Sequence, residues 1–216
     1  PSPLEHDHRV VAARQAYDEG DPERALAAFP LRHRLEKKAL SALLRTGSPR
    51  EAFLALGRRP RRIWVAAWQS ALFNRILDRR VQDGTYDRLL PGDIGALHGN
   101  GACFPVREEA HRRDATPTGP LVGHDLAFAD GEPGRLERET LAADGADPEA
   151  FRADHVRARG QRRPLSVPVR EASLAVEGAS TVVVRFVLPP GSFATVLLDA
   201  LMRGPARDPR PGGGPG

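Results

Sequence analysis

Cysteine occurs once in the 216 residues, at Cys103. A single thiol excludes an internal disulfide and fits a reducing compartment, here the cytoplasm. No apolar run approaches the ~20 residues that cross a bilayer, so no membrane partner is expected. No secretory leader pattern is present, and the chain opens on proline rather than methionine, which reads as truncation or processing. Lysine is nearly missing: Lys37 and Lys38 are the only two, so arginine carries the positive charge. That has a physical consequence, because the planar guanidinium binds phosphate with two prongs and stacks on bases.

Chemical motifs are scarce as well. His6 and His8 share a terminus expected to be flexible, while His98, His111 and His124 are scattered. One cysteine cannot build a structural zinc site, so no metal is expected. No G-x-S-x-G elbow occurs, and Gly99-Asn100-Gly101 is not a dinucleotide fingerprint, since no suitable helix follows it. Glu108 and Glu109 are adjacent and read as solvated. Motif chemistry marks no active site and no cofactor.

What remains is a globular composition, 40% hydrophobic and 28% charged, with a formal net charge of +4. Arginines cluster at Arg58-Arg59-Pro60-Arg61-Arg62, Arg79-Arg80, Arg112-Arg113 and over 157–163. Their simplest reading is solvated faces; an RNA surface requires them to gather on one side of the fold. Residues 1–80 read as helical. Asp21-Pro22-Glu23 and Ser48-Pro49-Arg50-Glu51 each place a cap before a proline suited to the first helical turn, and 35–44 carries helical periodicity between them. The longest helix is predicted over 61–81, with Val65, Trp68, Leu72 and Ile76 in one stripe. Trp64 and Trp68 read as core anchors.

From 83 to 120 glycine and proline punctuate short runs. Asn100-Gly101 signals a hairpin, and Cys103 beside it reads as a small buried side chain. A polar helix is predicted over 135–143, and Asp147-Pro148-Glu149 starts another short one. Residues 167–169 and 173–176 read as strands. The tail from Gly204, GPARDPRPGGGPG, has almost no apolar side chains and is expected to be disordered.

The stretch TVVVRFVLPPGSFATVLLDALMR, residues 181–203, is the most informative. Val182, Val184, Phe186 and Leu188 alternate with Thr181, Val183, Arg185 and Val187, a strand pattern that places Arg185 and Phe186 on opposite faces. Pro189-Pro190 ends the strand, Gly191 permits a turn, and Ser192 is placed to cap a helix carrying Ala194, Leu197, Leu198 and Leu201. A helix start of this kind offers free amides to an anion. Phe193, judged on spacing alone, packs under that helix.

Several segments, in order, resemble the TruD family of tRNA pseudouridine synthases. Gln69-Ser70-Ala71-Leu72-Phe73-Asn74-Arg75 is similar to the family's S-x-L-F-N-R helix, and Pro91-Gly92-Asp93 through Val106 to its glycine-rich hairpin. Thr118-Gly119-Pro120-Leu121-Val122-Gly123, Gly131-Glu132-Pro133-Gly134 and Glu137 resemble its longer, archaeal-type branch. Arg162-Arg163-Pro164-Leu165 looks like the re-entry into the catalytic domain, and Arg185-Phe186, Leu188-Pro189 and Gly191-Ser192-Phe193-Ala194-Thr195 like the closing motif. The family's catalytic aspartate, lysine and N-Y-F-G-x-Q-R-F-G motif have no counterpart here, and Asp93 maps to the hairpin, so no catalytic residue is assigned.

The resemblance implies an α+β chain: a helix-rich insertion domain over 1–165 (helical 15–82, hairpin and mixed 83–165), the last strands and helix of the catalytic sheet over 166–203, and the tail. It implies a cofactor-free isomerisation of uridine to pseudouridine in tRNA, at position thirteen in the family, to which this chain alone contributes RNA binding without catalysis. The implied substrate contacts are Phe193, Ser192, Gly191 and Arg185. The alternatives are a stand-alone RNA-binding module without a catalytic half, and a helical interaction module that binds no nucleic acid. A final strand lacking sheet neighbours would present an apolar edge, so self-association, or only partial order near Val182 to Leu188, is expected.

Overall fold

The computed structural model describes residues 7–178 and 180–203; His6 and the tail from Gly204 lie outside them. Four short helices come first: α1 (His8–Asp18), α2 (Pro22–Ala28), α3 (Arg34–Thr46) and α4 (Pro49–Leu54). Their starts follow from local chemistry. Asp7 accepts from the Arg9 amide, Asp21 from the Arg24 amide, and Ser48 Oγ from the Glu51 amide, each satisfying a donor that the first helical turn leaves open. His8 therefore opens a helix and does not lie in a flexible terminus. α3 stops at Gly47, whose φ of 64° is the left-handed conformation that ends helices. Val10, Ala13, Ala16, Ala25, Phe29 and Leu40 form the core of this bundle. Lys37 Nζ donates to the carbonyls of Leu26 (2.6 Å) and Phe29 (3.2 Å), tying the end of α2 to α3.

α5 (Arg58–Gln82) is the long helix, about 37 Å at 1.5 Å per residue. Its Val65, Leu72 and Ile76 are buried with Val122, Leu141, Ala146 and Phe151 in the main core. Trp68 is more peripheral than the stripe implies: it is 39% exposed and covers Phe151 as a lid, with ring centroids 5.4 Å apart and nearly parallel.

A four-stranded antiparallel sheet packs beside α5. It comprises β1 (Ile94–Leu97), β2 (Cys103–Pro105), β3 (Ala115–Leu121) and β4 (Gln161–Pro164), in the order β2-β1-β3-β4. β1 and β2 form the hairpin that Asn100-Gly101 signals. Cys103 departs from expectation. It is exposed, because β2 is an edge strand and its alternate residue, Phe104, is the one aimed at β1, where a Cβ on Gly95 would lie 2.7 Å from its ring. β3 reads ATPTGPL and is buried through Pro120. Its first half pairs with β1 (Gly95 opposite Pro117) and its second with β4 (Pro120 opposite Arg162). Each proline thus faces a single partner, the circumstance in which a strand tolerates a residue without an amide donor.

α6 (Gly131–Ala143) starts four residues before the predicted helix, taking Pro133 into its first turn where no amide is needed. A 3₁₀ turn, Pro148–Arg152, follows, with Asp147 accepting from the Glu149 amide. After β4 come β5 (Arg170–Glu177), β6 (Thr181–Val187) and α7 (Ala194–Arg203). No strand forms over 167–169, where Pro168 interrupts the run; β5 begins at Arg170. Among the described residues β5 and β6 pair only with each other, as a hairpin. Leu165 is the last buried residue: from Ser166 on, none of the described residues is buried, and Phe186 is half-buried rather than core. Among the described residues no helix is long and apolar enough to cross a membrane.

Candidate nucleic-acid interface

The closing turn is built as a local unit. Gly191 takes a φ of 84°, which suits glycine, and the Ser192 amide donates to the Pro189 carbonyl at 3.2 Å. The Val196 amide returns to the Phe193 carbonyl at 3.1 Å as α7 begins. With α7 starting at Ala194, Phe193 takes the cap position and Ser192 precedes it. The Phe193 ring is 67% exposed instead of packed under α7. Gly191, Ser192 and Phe193 therefore share one turn. Arg185 stands apart on β6, exposed and opposite Ser173. A bare ring beside a helix start can stack on a base while neighbouring amides meet a phosphate.

The arginine clusters separate into used and unused charges. Arg80 is buried against Asp93, and Arg162 against Glu137. Arg163 lies 5.2 Å over Phe73, Arg61 5.9 Å over Phe53 and Arg112 5.5 Å over Phe104, cation–π contacts that fix the guanidinium. Arg112 also pairs with Asp114 at 2.7 Å, and that hydrogen bond holds the Asp114 carboxyl below its ordinary range. Arg79 pairs with Asp83, and Arg135 bridges Glu132 and Glu139. His124 and then Arg152 hold the Asp125 carboxyl low by hydrogen bonding to it. Sequence clustering overlooked a different group: Arg34, Lys38 and Arg45 line a groove of about 630 Å³ on α3. Their signal was helical spacing across twelve positions, not a run. Among the described residues no group of three or more His, Cys, Asp or Glu side chains could hold a metal.

The family-like segments turn out to knit α5, the sheet and α6 together. Arg162 donates to both carboxylate oxygens of Glu137 (2.7 and 3.0 Å) and to Thr118 Oγ1 (2.9 Å), while Glu137 also accepts from the Ala129 amide (3.0 Å). Gln69 on α5 donates to the Val122 carbonyl. Asp93 of the PGDIG run is 1% exposed and spent on Arg80, a structural use. Gly123 leaves room for the strand crossing at 158–160, where a Cβ would sit 2.4 Å from the Ala158 carbonyl oxygen.

Helices and antiparallel sheets in succession define an α+β protein with an exposed strand-turn-helix at its described end. A family model, tRNA pseudouridine synthase D (TruD), matches residues 2–201, and the chain belongs to that family. It is similar to the tRNA pseudouridine synthase D of Geobacter sulfurreducens, 39% identical over 205 residues that cover 91% of this chain and 50% of the relative. The probable tRNA pseudouridine synthase D of Pyrococcus furiosus is 33% identical over 210 residues, 89% of this chain and 51% of the relative. The crystal structure of the putative tRNA pseudouridine synthase D from Methanosarcina mazei superposes with a TM-score of 0.62 at 25% identity, over 92% of this chain and 51% of that one. The chain spans about half the length of the relatives it matches.

Proposed function

We propose that this chain supplies the RNA-contacting part of a tRNA pseudouridine synthase that isomerises uridine to pseudouridine in cytoplasmic tRNA, at position thirteen. The observation that carries it is membership of the family over residues 2–201. In this reading residues 1–165 form the insertion domain and 166–203 the closing piece of the catalytic sheet; the end of burial at Leu165 supports that division. The target base must leave its stack to be reached, and a nucleophilic carboxylate detaches the uracil, which turns and rejoins through carbon. That carboxylate belongs to the half of the family protein not matched here, so this chain alone is inactive. Phe193 stacks on a base of the substrate, with Gly191 and Ser192 shaping the turn and Arg185 meeting a phosphate. The exposed position of Phe193 supports this. No cofactor is needed.

The test is tRNA binding by this chain, together with chemical detection of pseudouridine in the bound RNA. Salt-dependent binding without product is expected. Absence of binding defeats the reading, and pseudouridine formed by this chain alone defeats the placement of the nucleophile.

A further inference from the structure

α3 has two unlike faces. Leu40 is buried, and Ala39 and Leu43 line an apolar groove toward α1 and α5. The other face carries Arg34, Lys38, Ser41 and Arg45, all lining the separate groove of about 630 Å³ whose walls are completed by Leu31, Lys37, Ala42 and Ala55. Among the described residues no carboxylate lines that groove. The nearby acids are engaged elsewhere: Glu36 faces His33 at 3.5 Å, Glu51 pairs with Arg50 at 3.3 Å, and Asp7 pairs with Arg32. Among the described residues, Arg34, Lys38 and Arg45 have no ion-pair partner. The adjacent Lys37 shows the contrast, because its ammonium is held by two α2 carbonyls.

Arg34 also breaks a local rule. It is the first residue of α3, where the helix dipole disfavours a cation. A residue placed against local preference with no internal partner points to a use outside the fold. From Arg34 to Arg45 the helix advances about 16 Å, with Lys38 about 6 Å along. One phosphate cannot span three cations so spaced, whereas successive phosphates of a strand lying along the helix can.

We propose that the α3 groove is a binding site for the phosphodiester backbone of RNA, read by charge and not by base identity, and separate from the Phe193 turn. Ser41 offers a hydroxyl to a phosphate oxygen, and the exposed Leu31 covers a sugar face. The inference rests on the reading that this chain engages tRNA, and the measurement distinguishes the two.

tRNA affinity is measured against salt concentration for the full chain and for Arg34→Ala/Lys38→Ala/Arg45→Ala. Loss of three phosphate contacts lowers the slope of log affinity against log salt by about two to three. Between 50 and 200 mM salt the unsubstituted chain therefore loses roughly 20- to 40-fold more affinity than the variant. The charge-preserving Arg34→Lys/Lys38→Arg/Arg45→Lys keeps the slope, as does Arg135→Ala, whose charge is already neutralised. These side chains are off the core, and an unchanged helical spectrum verifies folding. A slope retained by the alanine variant overturns the groove while leaving the tRNA reading intact. No tRNA binding by the unsubstituted chain overturns both. Equal capture of polyglutamate reassigns the groove to an acidic protein and overturns the RNA proposal.

Discussion

Arg80 and Asp93 meet in a two-pronged ion pair, Nη1 to Oδ1 at 3.1 Å and Nη2 to Oδ2 at 3.0 Å, with side chains only 4% and 1% exposed. Arg80 spends its remaining donors on the carbonyls of Thr85 and Arg88, and Asp93 accepts from the Leu90 amide. One pair thus fixes the end of α5, the turn that follows it and the start of β1. Asp93→Ala leaves a buried guanidinium uncompensated and is expected to cost about 3–5 kcal/mol. Replacing both partners, Arg80→Met with Asp93→Leu, costs less than the single change. Urea unfolding decides it; equal losses would show that the hydrogen bonds to the chain, not the charges, carry the pair.

Gly134 lies within α6, where glycine is ordinarily a poor choice against alanine by about 1 kcal/mol. Here the sign reverses. A Cβ would stand 1.9 Å from the Ala129 carbonyl oxygen, a backbone atom that cannot swing away. Gly134→Ala is expected to destabilise by about 1–3 kcal/mol. Gly99 has nothing within 4 Å of a built Cβ, and Gly99→Ala is expected to stabilise by about 0.4–1 kcal/mol through the unfolded chain. Thermal midpoints moving in opposite directions are the outcome that supports this account.

Phe193→Ala removes a ring that is 67% exposed, so the unfolding midpoint should move little. If the ring stacks on a base, RNA affinity falls by about 1–3 kcal/mol, or roughly 5- to 150-fold. Phe193→Trp should retain binding. A stability loss with unchanged affinity would return Phe193 to a packing role.

Asp7 caps α1. The hydrogen bond from the Arg9 amide, followed by that from Arg32, holds its carboxyl below the ordinary value of 3.8. A carboxylate whose pKa is depressed by folding stabilises the fold at any pH above the unfolded value, and loses that contribution as pH falls through the lower, folded value. The protection of the first α1 amides, relative to their intrinsic exchange rates, should therefore be flat above about pH 5 and fall below about pH 4. Asp7→Asn keeps a capping oxygen and should abolish the acid step. An acid step that persists in that variant would place the titration elsewhere.

The sequence displayed its helices clearly, because Asp21-Pro22 and Ser48-Pro49 announce starts and the 65, 72, 76 stripe has the helical period. It concealed β3, since two prolines and a glycine in seven residues read as loop until each proline is seen to face one partner. It misplaced Cys103 because alternation says which residues share a face, but not which face is covered. The family-like segments were legible as letters, yet Asp93, Glu137 and Arg162 prove to be clamps between elements. The cations of α3 form no run along the chain, because a helix gathers onto one face residues that stand three or four positions apart.

The β5–β6 hairpin carries the strongest consequence of leaving burial at Leu165. Val176 stands opposite Val182 and Leu174 opposite Val184, so the alternation puts all four on one face with Phe186. Leu174, Val176 and Val182 are mostly exposed, as are Val196, Leu201 and Met202 on α7. An apolar sheet face with free edges on both strands is a template for association. Sedimentation of this chain should show mass rising with concentration in the micromolar range. Leu174→Lys with Val176→Lys places two charges on that face and should hold the chain monomeric, without altering the unfolding of α1–α6, because both side chains are mostly exposed. A chain that stays monomeric at high concentration, with the hairpin amides strongly protected from exchange, would show that β5 and β6 are stable by themselves and need no further sheet.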